Sequence, residues 1–157
     1  MRALGIDYGR KRIGLALSDA TGMLARPWKT IARIGDPAQV ARALAEEIAT
    51  LQDEDAGLGA VVLGLPRRLN GEPSEQTATV ESLAARLRDV IAVPVTLQDE
   101  RLSSHEAEQF LAVRHKDWRK RKPLLDAAAA AVILQDYLDH QSDARRRTNQ
   151  FPEDVDL

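Results

Sequence analysis

Apolar positions first gather in the run Ala3-Leu4-Gly5-Ile6, closed by Asp7 and followed by Tyr8-Gly9, the pattern of a buried strand that ends in a carboxylate. Arg12 to Asp19 (Arg12-Ile13-Gly14-Leu15-Ala16-Leu17-Ser18-Asp19) reads as a second strand, so Gly9-Arg10-Lys11 forms a hairpin turn in which glycine supplies a positive φ. Met23 to Ile31 reads as a third strand, and Pro27, which cannot donate to a ladder, puts it at an edge or a bend. Asp36-Pro37-Ala38-Gln39 opens a helix, with Asp36 as cap, Pro37 at the first helical position and Gln39 closing a capping box. Val40, Leu44 and Ile48 continue one apolar stripe until Gly57 and Gly59 end the unit. Ala60 to Leu65 is apolar enough for a central strand covered on both faces.

A loop from Pro66 to Pro73 leads to a second helix, with Val80, Leu83, Ala84, Leu87 and Ile91 on one face. Val93 to Gln98 reads as the next strand, ended by Asp99-Glu100. Ser103 and Glu106 form a capping box for a helix that buries Ala107, Phe110 and Leu111. Pro123 opens a last helix running to about His140. Gln141 to Leu157 is polar, carries Arg145-Arg146-Arg147 and has no periodicity, so a disordered tail is predicted for 141–157.

This order predicts an α/β fold built on a five-stranded mixed sheet: three antiparallel strands, then two added in parallel by right-handed crossovers, flanked by helices. One domain over residues 1–140 accounts for it. Ligands in such sheets gather beyond the carboxyl ends of the central strands. The absence of cysteine excludes a disulfide framework, thiolate chemistry and zinc–thiolate sites, and makes the cytoplasm the expected address. Ala127 to Leu134, the longest apolar run, is too short to span a bilayer, so no membrane partner is expected.

Asp7 is the first candidate for chemistry, because a carboxylate at the end of a buried strand is costly unless it binds something. It stands beside a turn carrying Arg10, Lys11 and Arg12, an arrangement suited to a divalent metal next to phosphate. A turn-capping aspartate is the plainer alternative. Asp99-Glu100 ends the last strand as Asp7 ends the first. Alternation lets only one of that pair face Asp7, and the more polar face, shared by Thr96 and Gln98, favours Glu100 over Asp99. Asp126 lies near the start of the last helix in register with Ala129, Ala130, Ile133 and Tyr137, where it could also serve only the helix dipole.

Net charge is -2, yet cations are concentrated in the first turn, at Arg67-Arg68 and in Arg114 to Lys122, a basic run interrupted by Trp118. Together they could form one phosphate-binding surface, or merely solvated loops. Trp118 could stack on a base or anchor its own loop. His105, His115 and His140 lack a ligand spacing and read as solvent or basic-patch residues.

Four ordered motifs carry a resemblance: Gly5-Ile6-Asp7-Tyr8-Gly9-Arg10-Lys11-Arg12-Ile13-Gly14-Leu15-Ala16; Val62-Leu63-Gly64-Leu65-Pro66 with Leu69-Asn70-Gly71; Asp99-Glu100-Arg101-Leu102-Ser103-Ser104; and Asp126 with its alanine-rich helix. Over roughly residues 2 to 140 the chain resembles the YqgF/RuvX family, whose members look like RuvC-type resolvases with the ribonuclease H fold. The resemblance implies a metal-dependent endonuclease acting on structured nucleic acid, either maturing the 5′ end of precursor small-subunit rRNA or resolving Holliday junctions in branched DNA. It puts the acidic triad on Asp7, Glu100 and Asp126. The chain departs from the family in having Ser103-Ser104 where threonine is common, and Pro123-Leu124-Leu125 before Asp126 where the helix start is often more polar. Arg67-Arg68 falls at a variable position.

Phosphodiester hydrolysis at neutral pH needs an activated water and a counter-charge for the leaving oxygen, which two divalent ions can supply. Oxygen-only ligands suit Mg²⁺ or Mn²⁺. The nucleic-acid contacts expected are Arg10, Lys11, Arg12, Arg67, Asn70, Arg101, Lys116, Arg119, Lys120 and Arg121. A monomer or a homodimer is expected, since symmetric junction cutting demands a two-fold axis. The Asp7 motif also resembles the first phosphate loop of actin-like ATPases, but those need a second domain and a second glycine-rich loop. A non-catalytic RNA or ribosome-associated factor would keep the fold without the cleavage.

Overall fold

The computed structural model describes residues 1–66, 73–100 and 125–150, the side chains of Glu100 and Gln150 excepted. Strands β1 (Arg2–Tyr8), β2 (Arg12–Ser18) and β3 (Ala25–Ala32) are followed by helix α1 (Pro37–Asp53), β4 (Leu58–Pro66), α2 (Glu75–Val90), β5 (Val95–Glu100) and a long helix α3 (Leu125–Gln150). The sheet order is β3-β2-β1-β4-β5. β1 pairs antiparallel with β2 and β2 with β3, whereas β4 joins β1, and β5 joins β4, in parallel. The α/β reading with its mixed five-stranded sheet is borne out. The helix expected from Ser103 lies outside the described residues.

Strand alternation divides the core in two. Leu4, Ile6 and Tyr8 of β1, Leu63 and Leu65 of β4 and Val95 of β5 point to the layer filled by Leu44, Ile48, Leu83 and Leu87 of α1 and α2. Ala3, Ala16 and Val62 point to the other face, where α3 lays down Ala130, Ala131, Ile133, Leu134 and Leu138. The small residues of α3 let it approach the sheet closely. An added Cβ on Gly5 would come within 2.8 Å of the Leu134 Cβ. Gln135 fixes the helix sideways, accepting from the Ala25 amide at 2.9 Å and donating to the Met23 carbonyl at 3.0 Å.

Local signals in the sequence translate directly at several points. Asp36 and Gln39 exchange both hydrogen bonds of the capping box, at 2.9 and 2.8 Å. Pro27 lies in the edge strand β3, beside the register shift between Leu15 and Ala16 of its partner.

Two expectations need correction. Gly9 is not among the glycines with positive φ, which among the described residues are Gly22, Gly35 and Gly57. What the first turn demands of Gly9 is space, because a Cβ there would sit 2.5 Å from the Arg12 carbonyl oxygen. The last helix also does not stop near His140 but continues to Gln150, so residues 141–150 are helix rather than tail. No proline or glycine interrupts the sequence before Pro152, and local bonds support the exposed turns. Asp143 and Arg146 pair one turn apart, and the Thr148 hydroxyl donates to the Ala144 carbonyl.

Candidate active site

Asp7 is the penultimate residue of β1 and stands on the α3 face, because its neighbours Ile6 and Tyr8 are committed to the α1/α2 core. Across the ladder it pairs with Gly14 of β2. That glycine decides the geometry. A Cβ on it would lie 1.9 Å from the carbonyl oxygen of Asp126 and 2.9 Å from the Ala127 nitrogen, so the first turn of α3 rests directly on the backbone beside Asp7.

The two carboxylates feel one another. Burial, and after it the nearby Asp126 charge, together push the Asp7 carboxyl up to about 6. Asp126 is held by Arg12, whose Nε donates to Oδ2 at 2.8 Å. The arginine side chain is 62% exposed and the aspartate 28%, so this is a rim ion pair that leaves Asp126 accessible. Arg12, expected to serve nucleic acid, is thus engaged with a candidate catalytic carboxylate. Lys11 is exposed at the turn, and its backbone carbonyl accepts from the Arg33 amide at 3.0 Å. Arg10 lies on the other side of the turn, in the wall of a cavity with Tyr8 and Arg33.

β5 supplies the third candidate position. Leu63 of β4 pairs with Leu97 and Pro66 with Glu100. Val95 and Leu97 pack against the α1/α2 core, so alternation assigns position 99 to that side and position 100 to the Asp7 face. Among the described residues no three His, Cys, Asp or Glu side chains group tightly enough to cage a metal; Asp7 and Asp126 form a pair. Arg67, Asn70, Arg101, Lys116, Arg119, Lys120 and Arg121 lie outside the described residues, as do His105, His115 and Trp118.

Sequence reasoning passed over Arg33, which the structure brings to the end of β1. Arg33 follows β3, stacks its guanidinium 4.0 Å from the Tyr8 ring centre and donates to the Gly9 carbonyl at 3.1 Å. The available signal was Tyr8 itself, a residue with a polar tip on the apolar face of β1.

A family model described as RuvX, Holliday junction resolvase, matches residues 1–140. The chain belongs to the RuvX family. A protein of Nocardioides sp. (strain ATCC BAA-499 / JS614) named "Putative pre-16S rRNA nuclease" is 42% identical over 154 residues, covering 97% of this chain and 94% of the relative. A relative of the same name from Geobacillus kaustophilus (strain HTA426) is 39% identical over 143 residues, covering 88% and 98%. Among solved structures, Thermus thermophilus RuvC in complex with a Holliday junction substrate superposes with a TM-score of 0.55 at 19% identity, covering 91% of this chain and 96% of that one. The fowlpox virus Holliday junction resolvase gives 0.51 at 15% identity, with 92% and 99% coverage.

These structures share the RuvC-like fold with the RuvX protein, so the ribonuclease H-like reading of the sheet stands. Membership makes it an enzyme, a nuclease that hydrolyses ester bonds. No helix among the described residues is long and apolar enough to cross a membrane.

Proposed function

We propose that this RuvX protein is a divalent-metal-dependent endonuclease whose substrate is precursor small-subunit rRNA, with Asp7, Asp126 and Glu100 as the acidic groups of the site. The observation that carries the reading is that Asp126 rests on Gly14, the ladder partner of Asp7, so that its charge acts on the Asp7 carboxyl, which burial and this neighbour raise to about 6. Asp126 has Arg12 beside it, whereas the buried Asp7 carboxylate would gain from a bound cation that offsets both its burial and its neighbour's charge. An oxygen-only donor set fits Mg²⁺ or Mn²⁺. Such ions, two in our reading, would polarise the attacked phosphate, deliver an activated water and offset charge on the leaving oxygen.

The chain's own residues have separable tasks. Asp7 pairs with Gly14 of β2 and directly follows Ile6, the last β1 residue paired with β4, so it offers its carboxylate from a rigid strand end. Asp126 is oriented by Arg12, and Gly14 sets its height above the sheet. Position 100 joins the same face by strand parity, which favours Glu100 over Asp99 as the third group. Lys11 stands at the rim as a cation for the substrate backbone.

RNA is favoured as substrate because relatives about 40% identical along nearly their full length carry that activity in their name. Trimming one strand requires one active site, so a monomer suffices. Junction resolution, the description of the family model, would require a two-fold dimer. Purified protein offered precursor rRNA and a four-way DNA junction side by side in Mn²⁺ tests the reading. Preferential cutting of the RNA supports it, and cutting confined to the junction refutes it.

A further inference from the structure

On the opposite face of the same strand end lies a cavity of about 280 Å³, walled by Tyr8 and Arg10, by Arg33 and by Glu75, Gln76 and Thr79 from the first turns of α2. Its size is at the low end for ligand sites and suits a single small unit. Arg10, Arg33 and Glu75 share this wall, yet no ion pair joins them among the described residues. Arg33 spends one N–H on the Gly9 carbonyl and keeps the rest of its donor fork. Tyr8 is 7% exposed, and its hydroxyl, fully buried, has no hydrogen-bond partner among the described residues. Burial pushes the phenol's pKa up. A buried hydroxyl without a partner is costly, and charged groups that line one cavity without pairing with each other keep capacity for a ligand.

Two guanidiniums call for an anion, but a bare anion would not be given a carboxylate in the same wall. Glu75 asks for a hydroxyl to accept from, and the Thr79 hydroxyl and Gln76 amide add capacity of both kinds. An anionic group and a free hydroxyl on one small unit describe a ribose-phosphate. We propose that this cavity holds one ribose-phosphate unit of an RNA strand flanking the cleavage site, with Arg10 and Arg33 on the phosphate and Glu75 accepting from the 2′-hydroxyl. The idea rests on the nuclease reading above and adds a device for telling RNA from DNA, which lacks that hydroxyl. Asp7 and Tyr8 are adjacent and point to opposite faces of the sheet, so a strand crossing this edge meets the carboxylates and the cavity in succession.

Fluorescence anisotropy with a labelled single-stranded RNA and the DNA of identical sequence, both in Ca²⁺, tests it. The full-length protein should prefer RNA. Glu75→Ala should lose about tenfold in RNA affinity and leave DNA binding unchanged, whereas Glu75→Gln, which keeps an acceptor oxygen, should retain part of the preference. Arg10→Ala should weaken both ligands and reduce the salt slope by about one. No RNA preference in the parent protein, or a Glu75→Ala change equal for both ligands, overturns the proposal, provided the variant's melting curve shows it folded. Cleavage of precursor rRNA by the parent in Mg²⁺ is scored separately. Normal cleavage with an unmoved RNA/DNA ratio refutes the cavity alone, while an intact ratio with no cleavage refutes the nuclease reading and keeps the cavity.

Discussion

Gly14 and Asp126 are in backbone contact: a Cβ on the glycine would stand 1.9 Å from the aspartate's carbonyl oxygen. Because Gly14 is also the ladder partner of Asp7, one missing methyl group lets α3 bring its carboxylate to the strand end. Gly14→Ala should therefore destabilise the protein by about 1–3 kcal/mol through overpacking against backbone. Urea unfolding measures that loss, and cleavage assayed well below the new melting temperature should still fall, because α3 is lifted off the site. Unchanged stability would mean that the helix start does not rest on β2.

The charge on Asp7 should be visible in the pH dependence of the metal-free protein. Its folded pKa, raised from 3.8 to about 6, means that the fold favours the protonated acid. The stability this group allows is fully present below about pH 3.8 and is lost as pH rises through about 6. Among the described side chains, Asp126 and its partner Arg12 are the charges beside it. Asp7→Asn should consequently be more stable than the parent above pH 7, by roughly 3 kcal/mol at most, with the difference vanishing near pH 4. Equal melting curves at pH 7.5 in EDTA would contradict this.

Arg12 and Asp126 form an exposed pair, and such pairs contribute about 0.2–1 kcal/mol. Arg12→Ala should barely move the melting temperature. It should raise the affinity for Mn²⁺ measured by calorimetry, because the guanidinium no longer competes for Asp126. A weaker Mn²⁺ affinity would show that Arg12 helps to build the ion site rather than compete with it.

The buried contacts of α3 end at Leu138, and the turns beyond it are mostly exposed. Ending the chain after His140 should shift the melting temperature by only a few degrees. A drop of more than about 10 °C would assign the last turns a packing role that their exposure does not suggest.

The sheet was legible because its signals are local. Apolar runs mark β1 and β4, Pro27 marks an edge, and Asp36 with Gln39 writes a helix start into four residues. The parity that puts Asp99 on the face of Val95 and Leu97 needs only strand alternation, so it too could be read before any fold was known. The contacts that build the site are not local. Nothing near Gly14 in sequence announces that Asp126 will rest on it, and the demand on Gly9 turned out to be room for the Arg12 carbonyl rather than a positive φ. Arg33 and Glu75 meet Arg10 only after the strands have ordered themselves, which is why that cavity left no motif. The helical turns after His140 escaped notice because an exposed helix needs no apolar period.

The most direct test of the central claim is the cleavage of precursor small-subunit rRNA by Asp7→Asn beside the parent protein, in Mg²⁺ and in Mn²⁺, with both preparations freed of contaminating nuclease. The carboxylate account predicts that the parent cuts and that the folded variant binds the same RNA without cutting it in either metal. Parental cleavage rates in the variant would contradict it, leaving Asp7 as a residue of the fold alone.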